Sequence, residues 1–161
     1  MIEHKEIHII AHRANLNGEN KLTENHPDQI LLCLSKGYDC EIDIWFLNNN
    51  LYLGHDEPQY EVSLNFILDN VDKLWCHCKH MESFQYLLTI PEINCFYHQT
   101  DDYILTSHLY IWTYPGKIIP DNRGIVVMPE WNKDIKYNKD SICGICTDFP
   151  ENIDMFLFDD C

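Results

Sequence analysis

Short apolar runs of four to six residues recur along the chain, separated by polar stretches rich in Asn, Asp, Gly and Pro. Runs of that length between turn-forming residues read as strands, because a helix needs a longer periodic segment. Strands are predicted over 7–12, 40–44, 74–78, 95–98, 109–113, 125–128 and 142–147, with a short hairpin ending at His55. Helical spacing is rarer. Residues 27–35 carry Ile30, Leu31 and Leu34 on one stripe, open with Pro27 near N1 and stop before Gly37. Residues 64–71 and 81–88 also have helical spacing, the second through Phe84, Leu87 and Leu88. A last helix after Pro150 would place Ile153, Phe156 and Leu157 on one face. Strands alternating with helices at both ends imply parallel βαβ units. Between 94 and 131 there is little room for crossover helices, so loops or short turns are expected there.

The polar residues that interrupt these runs carry the chemistry. Strand side chains alternate faces, so Glu41 and Asp43 point the same way while Cys40 and Ile42 point the other. Two carboxylates on one face among apolar neighbours repel each other unless a cation lies between them. Oxygen donors of that kind suit a hard divalent ion. Histidines close the neighbouring runs, at His12 and His55. An imidazole moves protons near neutral pH, so the pair supplies a general acid and a general base. Metal-assisted cleavage of a phosphate ester is the chemistry these residues suggest.

The segments His12-Arg13, Glu24-Asn25, Glu41-Ile42-Asp43, His55-Asp56 and Thr147-Asp148-Phe149-Pro150 follow one another in a distinctive order. In that order and wording the chain resembles the glycerophosphodiester phosphodiesterase family, among the phosphatidylinositol-phospholipase-C-like barrels. The resemblance implies an α/β fold: a small, irregular TIM-like (β/α) barrel with several outer helices trimmed or missing. It implies His12 and His55 as catalytic residues, and Glu41, Asp43 and His77 as ligands of one divalent cation. Mg or Ca is the ion implied, and a His77 ligand would bring Mn or Zn within range. Two positions depart from the family pattern. Ala14 stands where a Gly follows His-Arg, and His77-Cys78-Lys79 stands where the family has Glu-x-Lys. Matching Lys79 to that motif turns His77 and Lys79 inward, and Cys76 and Cys78 outward.

Composition narrows the rest. A chain of 161 residues without a Pro-rich or Gly/Ser-rich linker reads as one domain over 1–161, short for a (β/α)8 barrel. The net charge of −15 argues against nucleic acid and anionic bilayers as partners. No stretch is apolar enough to span a membrane, and the first residues lack a secretory signal's basic and apolar regions. Eight cysteines in that setting read as reduced thiols in a cytoplasmic compartment rather than a zinc site. Only eleven Lys and Arg are present, so Arg13 and Lys79 on motif positions are the expected phosphate contacts. Trp112 is expected to wall the substrate's other group, while Lys117 reads as a solvated turn residue. Asp101 and Asp102, after a strand end, are candidates for substrate hydroxyls or a further metal ligand.

The expected activity is metal-dependent hydrolysis of a small glycerophosphodiester-like substrate in lipid metabolism. Two other outcomes fit the same residues: a barrel that binds a ligand without turnover, and a lyase that stops at a cyclic phosphate. The sequence leaves open the oligomeric state and which histidine is acid and which is base.

Overall fold

A computed structural model describes residues 6–120 and 123–158. In chain order the strands are β1 (His8–Ala11), β2 (Asp39–Leu47), β3 (Asn50–Leu53), β4 (Tyr60–Val62), β5 (Leu74–Cys78) and β6 (Cys95–Phe96). They continue with β7 (Tyr103–Leu105), β8 (Ile111–Thr113), β9 (Gly124–Val127), β10 (Tyr137–Asn138), β11 (Gly144–Thr147) and β12 (Leu157–Phe158). The α-helices are α1 (Pro27–Ser35), α2 (Leu64–Leu68) and α3 (Met81–Leu88). Ten strands form one mixed sheet, and β10 and β12 pair separately.

The centre of the sheet is parallel, in the order β6-β5-β2-β1-β11-β9-β8. Two antiparallel additions flank it: β3 and β4 continue from β2, and β7 folds back on β8. The β2–β3 turn is Asn48-Asn49, both with positive φ (51° and 64°), the backbone that a two-residue hairpin linking right-twisted strands requires.

The expected TIM-like barrel is not what the chain forms. No closed barrel is present among the described residues, and the ladder stops at β6 on one side and β7 on the other. The reason is local. The chain leaves β6 after two residues paired only with β5, and then spends 103–113 on a hairpin instead of a crossover helix. Parallel connections need a dozen or more residues to carry a helix, and the 94–131 region contains no α-helix. The edges β6 and β7 meet through Ser107 instead. Its N–H donates to the Cys95 carbonyl at 2.8 Å, and its Oγ accepts from Cys95 N–H at 2.9 Å.

The helix expected after Pro150 is a 3-10 segment, Pro150–Met155, kinked at Asn152. Leu157 then enters the ladder with Tyr137, so the chain is extended where the helix would have continued. Ile153, Phe156 and Leu157 still pack together with Ile142 and Ile145. The helix expected over 64–71 is shorter, ending at Leu68 before a 3-10 turn.

Alternation along β2 and β5 divides the molecule into two faces. Cys40, Ile42, Ile44, Cys76 and Cys78 are buried against Ile30 and Cys33 of α1 and Leu87 of α3. Glu41, Asp43 and His77 take the opposite face. The seven cysteines among the described residues are in no disulfide, six of them buried; Cys161 lies outside these residues. No helix among them is long and apolar enough to cross a membrane.

Candidate active site

The site lies at a gap in the sheet. β1 pairs with β2 only through Asp39 and Cys40, and β3 takes up the same edge from Ile44 onward. Between those pairings, along Glu41 and Ile42, the edge lacks a strand partner, and the turn after β1 (His12–Ala14) lies beside it, while the Asp43 carbonyl accepts from Gly54 N–H at 3.1 Å. Arg13 has φ 51° and Ala14 φ 63°, left-handed backbone that a Gly would adopt freely at position 14. This bend aims Arg13 N–H at Glu41 Oε2, 3.0 Å away.

Asn25, itself at φ 58°, takes the place of the missing strand partner. Its Oδ1 accepts from Asp43 N–H at 2.8 Å and its Nδ2 donates to Asp43 Oδ2 at 2.9 Å. One amide thus satisfies the unpaired backbone and fixes the carboxylate. The Asn25 backbone is in turn held by a bond from its N–H to the Arg13 carbonyl at 2.9 Å.

Cations and imidazoles surround Asp43. Arg13 Nε lies 3.4 Å from Oδ2, Lys79 Nζ 3.4 Å from Oδ1, and His77 Nδ1 3.1 Å from Oδ1. His77 Nδ1 also stands 3.6 Å from Glu41 Oε1. Burial alone would raise the pKa of Asp43. Its contacts with His55 and His77 and the charges of His77 and Lys79 outweigh burial and hold it well below the ordinary carboxylate range. His77 is the mirror case: burial opposes its charge, and the two carboxylates overcome that and raise its pKa.

His55 follows Gly54, whose φ of 149° and close approach to the Glu57 carbonyl leave no room for a Cβ. The ring spans three groups: Nδ1 faces Asp43 Oδ2 at 3.2 Å and Lys79 Nζ at 3.3 Å, and Nε2 accepts from Arg13 Nη2 at 3.0 Å. His12 makes a second His–Asp pair, its Nδ1 donating to Asp148 Oδ1 at 2.8 Å, and Asn15 Nδ2 donates to the same oxygen at 2.9 Å. Burial works against charge on His12, but the Asp148 hydrogen bond and the fields of Glu41 and Asp148 prevail and raise its pKa. Asp148 is lowered in return, against its own burial.

Part of this network lines one cavity of about 400 Å³, with Asp43 buried behind it. His12, Arg13, Glu41, His55, His77 and Asp148 form its polar side, and Ile104, Trp112, Tyr114, Val127, Met128 and Trp131 much of the other. Lys79 stands behind the carboxylates, and Trp112 is buried in the wall against Trp75 and Phe96. Asp101 lines the cavity. Asp102 does not: it is paired on the surface with Lys117, at 3.1 Å. Asp56 is solvated, 3.7 Å from His55.

The residues present fit a divalent cation. Glu41, Asp43 and His77 each offer a ligand atom, all within 4.8 Å of one another. Asp43 Oδ1 is buried without a well-directed hydrogen bond. Around it the buried carboxylates Glu24, Glu41, Asp43 and Asp148 outnumber the permanent cations Arg13 and Lys79. His77 between two carboxylates partly offsets that imbalance, and a metal ion would complete it.

Sequence reasoning did not place Asn25, Asp148, His98, Glu130, Tyr114 or Trp131 in the site. Asn25 and Asp148 stand in segments that carry the resemblance, so their signal was present. His98 follows a strand end, and its ring stacks on His77 at 4.5 Å. Burial and the neighbouring His77 charge push its pKa down to about 4. Glu130, Tyr114 and Trp131 have no sequence signal; only the path of the chain brings them here.

Comparison with protein-family models, curated proteins and solved structures finds no match to this chain.

Proposed function

We propose that the chain is a divalent-cation-dependent phosphodiesterase acting on a small glycerophosphodiester-like substrate. What carries this reading is the convergence of two histidines, each hydrogen-bonded to an Asp, with Arg13 and the Glu41–Asp43–His77 cluster on one cavity. Glu41, Asp43 and His77 would hold the cation, which when bound supplies Lewis-acid polarisation of a phosphate oxygen. Arg13 supplies paired N–H donors suited to a phosphate. His12 keeps Nδ1 on Asp148, leaving Nε2 for proton exchange. His55 keeps Nδ1 on Asp43, and its Nε2 becomes available when Arg13 turns from it to the phosphate. Substrate binding itself thus frees the second proton carrier. Mg, Ca, Mn and Zn are the cations to test.

A binding protein without turnover is the second reading. The observation favouring it is that both ring nitrogens of His55 are occupied in this structure.

The deciding experiment is a metal-by-substrate screen with a chromogenic phosphodiester and with glycerophosphodiesters, run on the wild type, Glu41→Ala/Asp43→Ala, His12→Ala and His55→Ala. Metal-dependent turnover is expected in the wild type, with losses of about a hundred- to ten-thousand-fold in each histidine variant. Calorimetric cation binding without turnover of any diester would decide for the second reading. Unchanged cation affinity in the double carboxylate variant would remove the metal assignment.

A further inference from the structure

Resting on the phosphodiesterase reading, we propose that one of the two ester-linked groups of the substrate is uncharged and apolar, and that Trp112, Val127, Met128 and Trp131 form its seat. Trp131 is 63% exposed, yet it is not a loose surface ring. It closes the 3-10 turn Pro129–Trp131, which begins at Met128 in left-handed backbone (φ 49°). Left-handed backbone is unfavourable for a non-Gly residue, so the surrounding structure must hold the bend. The holder is Glu130: its Oε2 accepts from Thr147 Oγ1 at 2.8 Å and its Oε1 from Asp148 N–H at 2.8 Å. The carboxylate that fixes Trp131 over the cavity also fixes the strand end bearing Asp148, the partner of His12. An exposed indole is thereby tied rigidly to the proton-transfer machinery, where an apolar substrate group would cover it.

Charge decides against the alternatives. Among the described residues the cavity is lined by one permanent cation, Arg13, against Glu19, Glu41, Asp101 and Asp148. Lys117 is engaged with Asp102 and does not line it. That balance suits the single negative charge of a phosphodiester. It disfavours a phosphomonoester dianion or a second acidic group on the substrate. On the apolar side nothing cationic meets a charged substituent, whereas aromatic and aliphatic surface meets a chain or ring.

Non-hydrolysable monoanions that differ in one substituent test this directly. Calorimetry at pH 8 with magnesium present would compare dimethylphosphinate, methyl(phenyl)phosphinate and methyl(octyl)phosphinate, with phenylphosphonate as the dianion. The phenyl and octyl compounds are expected to bind about tenfold or more tightly than the dimethyl compound, because each buries on the order of 100 Å² of extra apolar surface. Phenylphosphonate should bind more weakly than methyl(phenyl)phosphinate. Trp131→Ala should shrink the phenyl-to-dimethyl ratio severalfold, and Trp131→Phe should keep most of it; the exposure of Trp131 makes both variants safe for folding. Equal affinity for all phosphinates overturns the apolar seat and leaves the phosphodiester reading standing. Tighter binding of phenylphosphonate overturns the charge argument. Absence of binding by every phosphinate overturns the seat and the phosphodiester reading together.

Discussion

Single residues in this protein hold other residues in unfavourable states. Asn25 is the clearest case, since its amide is the partner both of the Asp43 backbone N–H and of one carboxylate oxygen. Asn25→Ala leaves the Asp43 N–H unmet and removes one of the bonds to its Oδ2 at a site 1% exposed, and an unmet buried group costs about 1–3 kcal/mol. Denaturant unfolding should show a loss of at least that size, and cation affinity should fall with it as Asp43 loses its orientation. The His12–Asp148 pair has a pH signature. The His12 pKa is raised on folding, so its contribution is fully present below about 6.5 and is lost as pH rises through the folded value. The Asp148 pKa is lowered, so its contribution is present above about 3.9 and is lost as pH falls through the folded value. The pair therefore stabilises most between those limits. The stability advantage of wild type over His12→Gln should shrink as pH is raised from 6 to 9, measured by urea unfolding; a constant difference would remove His12 as the source.

At the scale of elements, strand register does the positioning. Gly144 of β11 sits opposite His8 of β1, and a Cβ there would lie 2.7 Å from the His8 carbonyl oxygen and 2.8 Å from its Cβ. Gly144→Ala is expected to destabilise by about 1–3 kcal/mol, the usual range for overpacking a close contact. Because β1 leads into His12 and β11 into Asp148, turnover should fall more steeply than stability; thermal melts beside initial rates check this. Register also explains what could be read from the sequence. Period-two alternation pairs Glu41 with Asp43 and His77 with Lys79, the resemblance turns both pairs to the same side, away from Cys40, Ile42, Cys76 and Cys78, and that is their arrangement. Alternation says nothing about how strands close, because pairing depends on connection length and edge partners. The expected barrel failed at the two residues of β6 and the β7–β8 hairpin for that reason. Trp131 was illegible on similar grounds, since a turn residue reaches the site only through a fold that brackets it.

The whole molecule carries a net charge of −15, and its cavity holds more carboxylates than permanent cations. An anionic substrate therefore approaches against the field, and a divalent cation with it. Raising ionic strength from about 0.01 to 0.15 M shortens the Debye length from about 30 to 8 Å. KM for an anionic diester should fall over that range while cation affinity weakens, and the reverse trends would show that local geometry outweighs the global field. Ser107 gives the sheet a different kind of property. The edges β6 and β7 are joined around Ser107 by its backbone N–H and hydroxyl, with His108 bonding Asn94 and Pro91 beside it, rather than by a ladder, so this seam is expected to open more readily than the central strands. Amide deuteration of Cys95 and Ser107 should run ahead of that in β1 and β11, and Ser107→Ala should quicken it there first. His98 leaves β6 and Ile104 lies on β7, so the two lips of this seam are also two walls of the cavity. A ligand lodged between them would act as the missing rungs and slow the exchange of both edges at once.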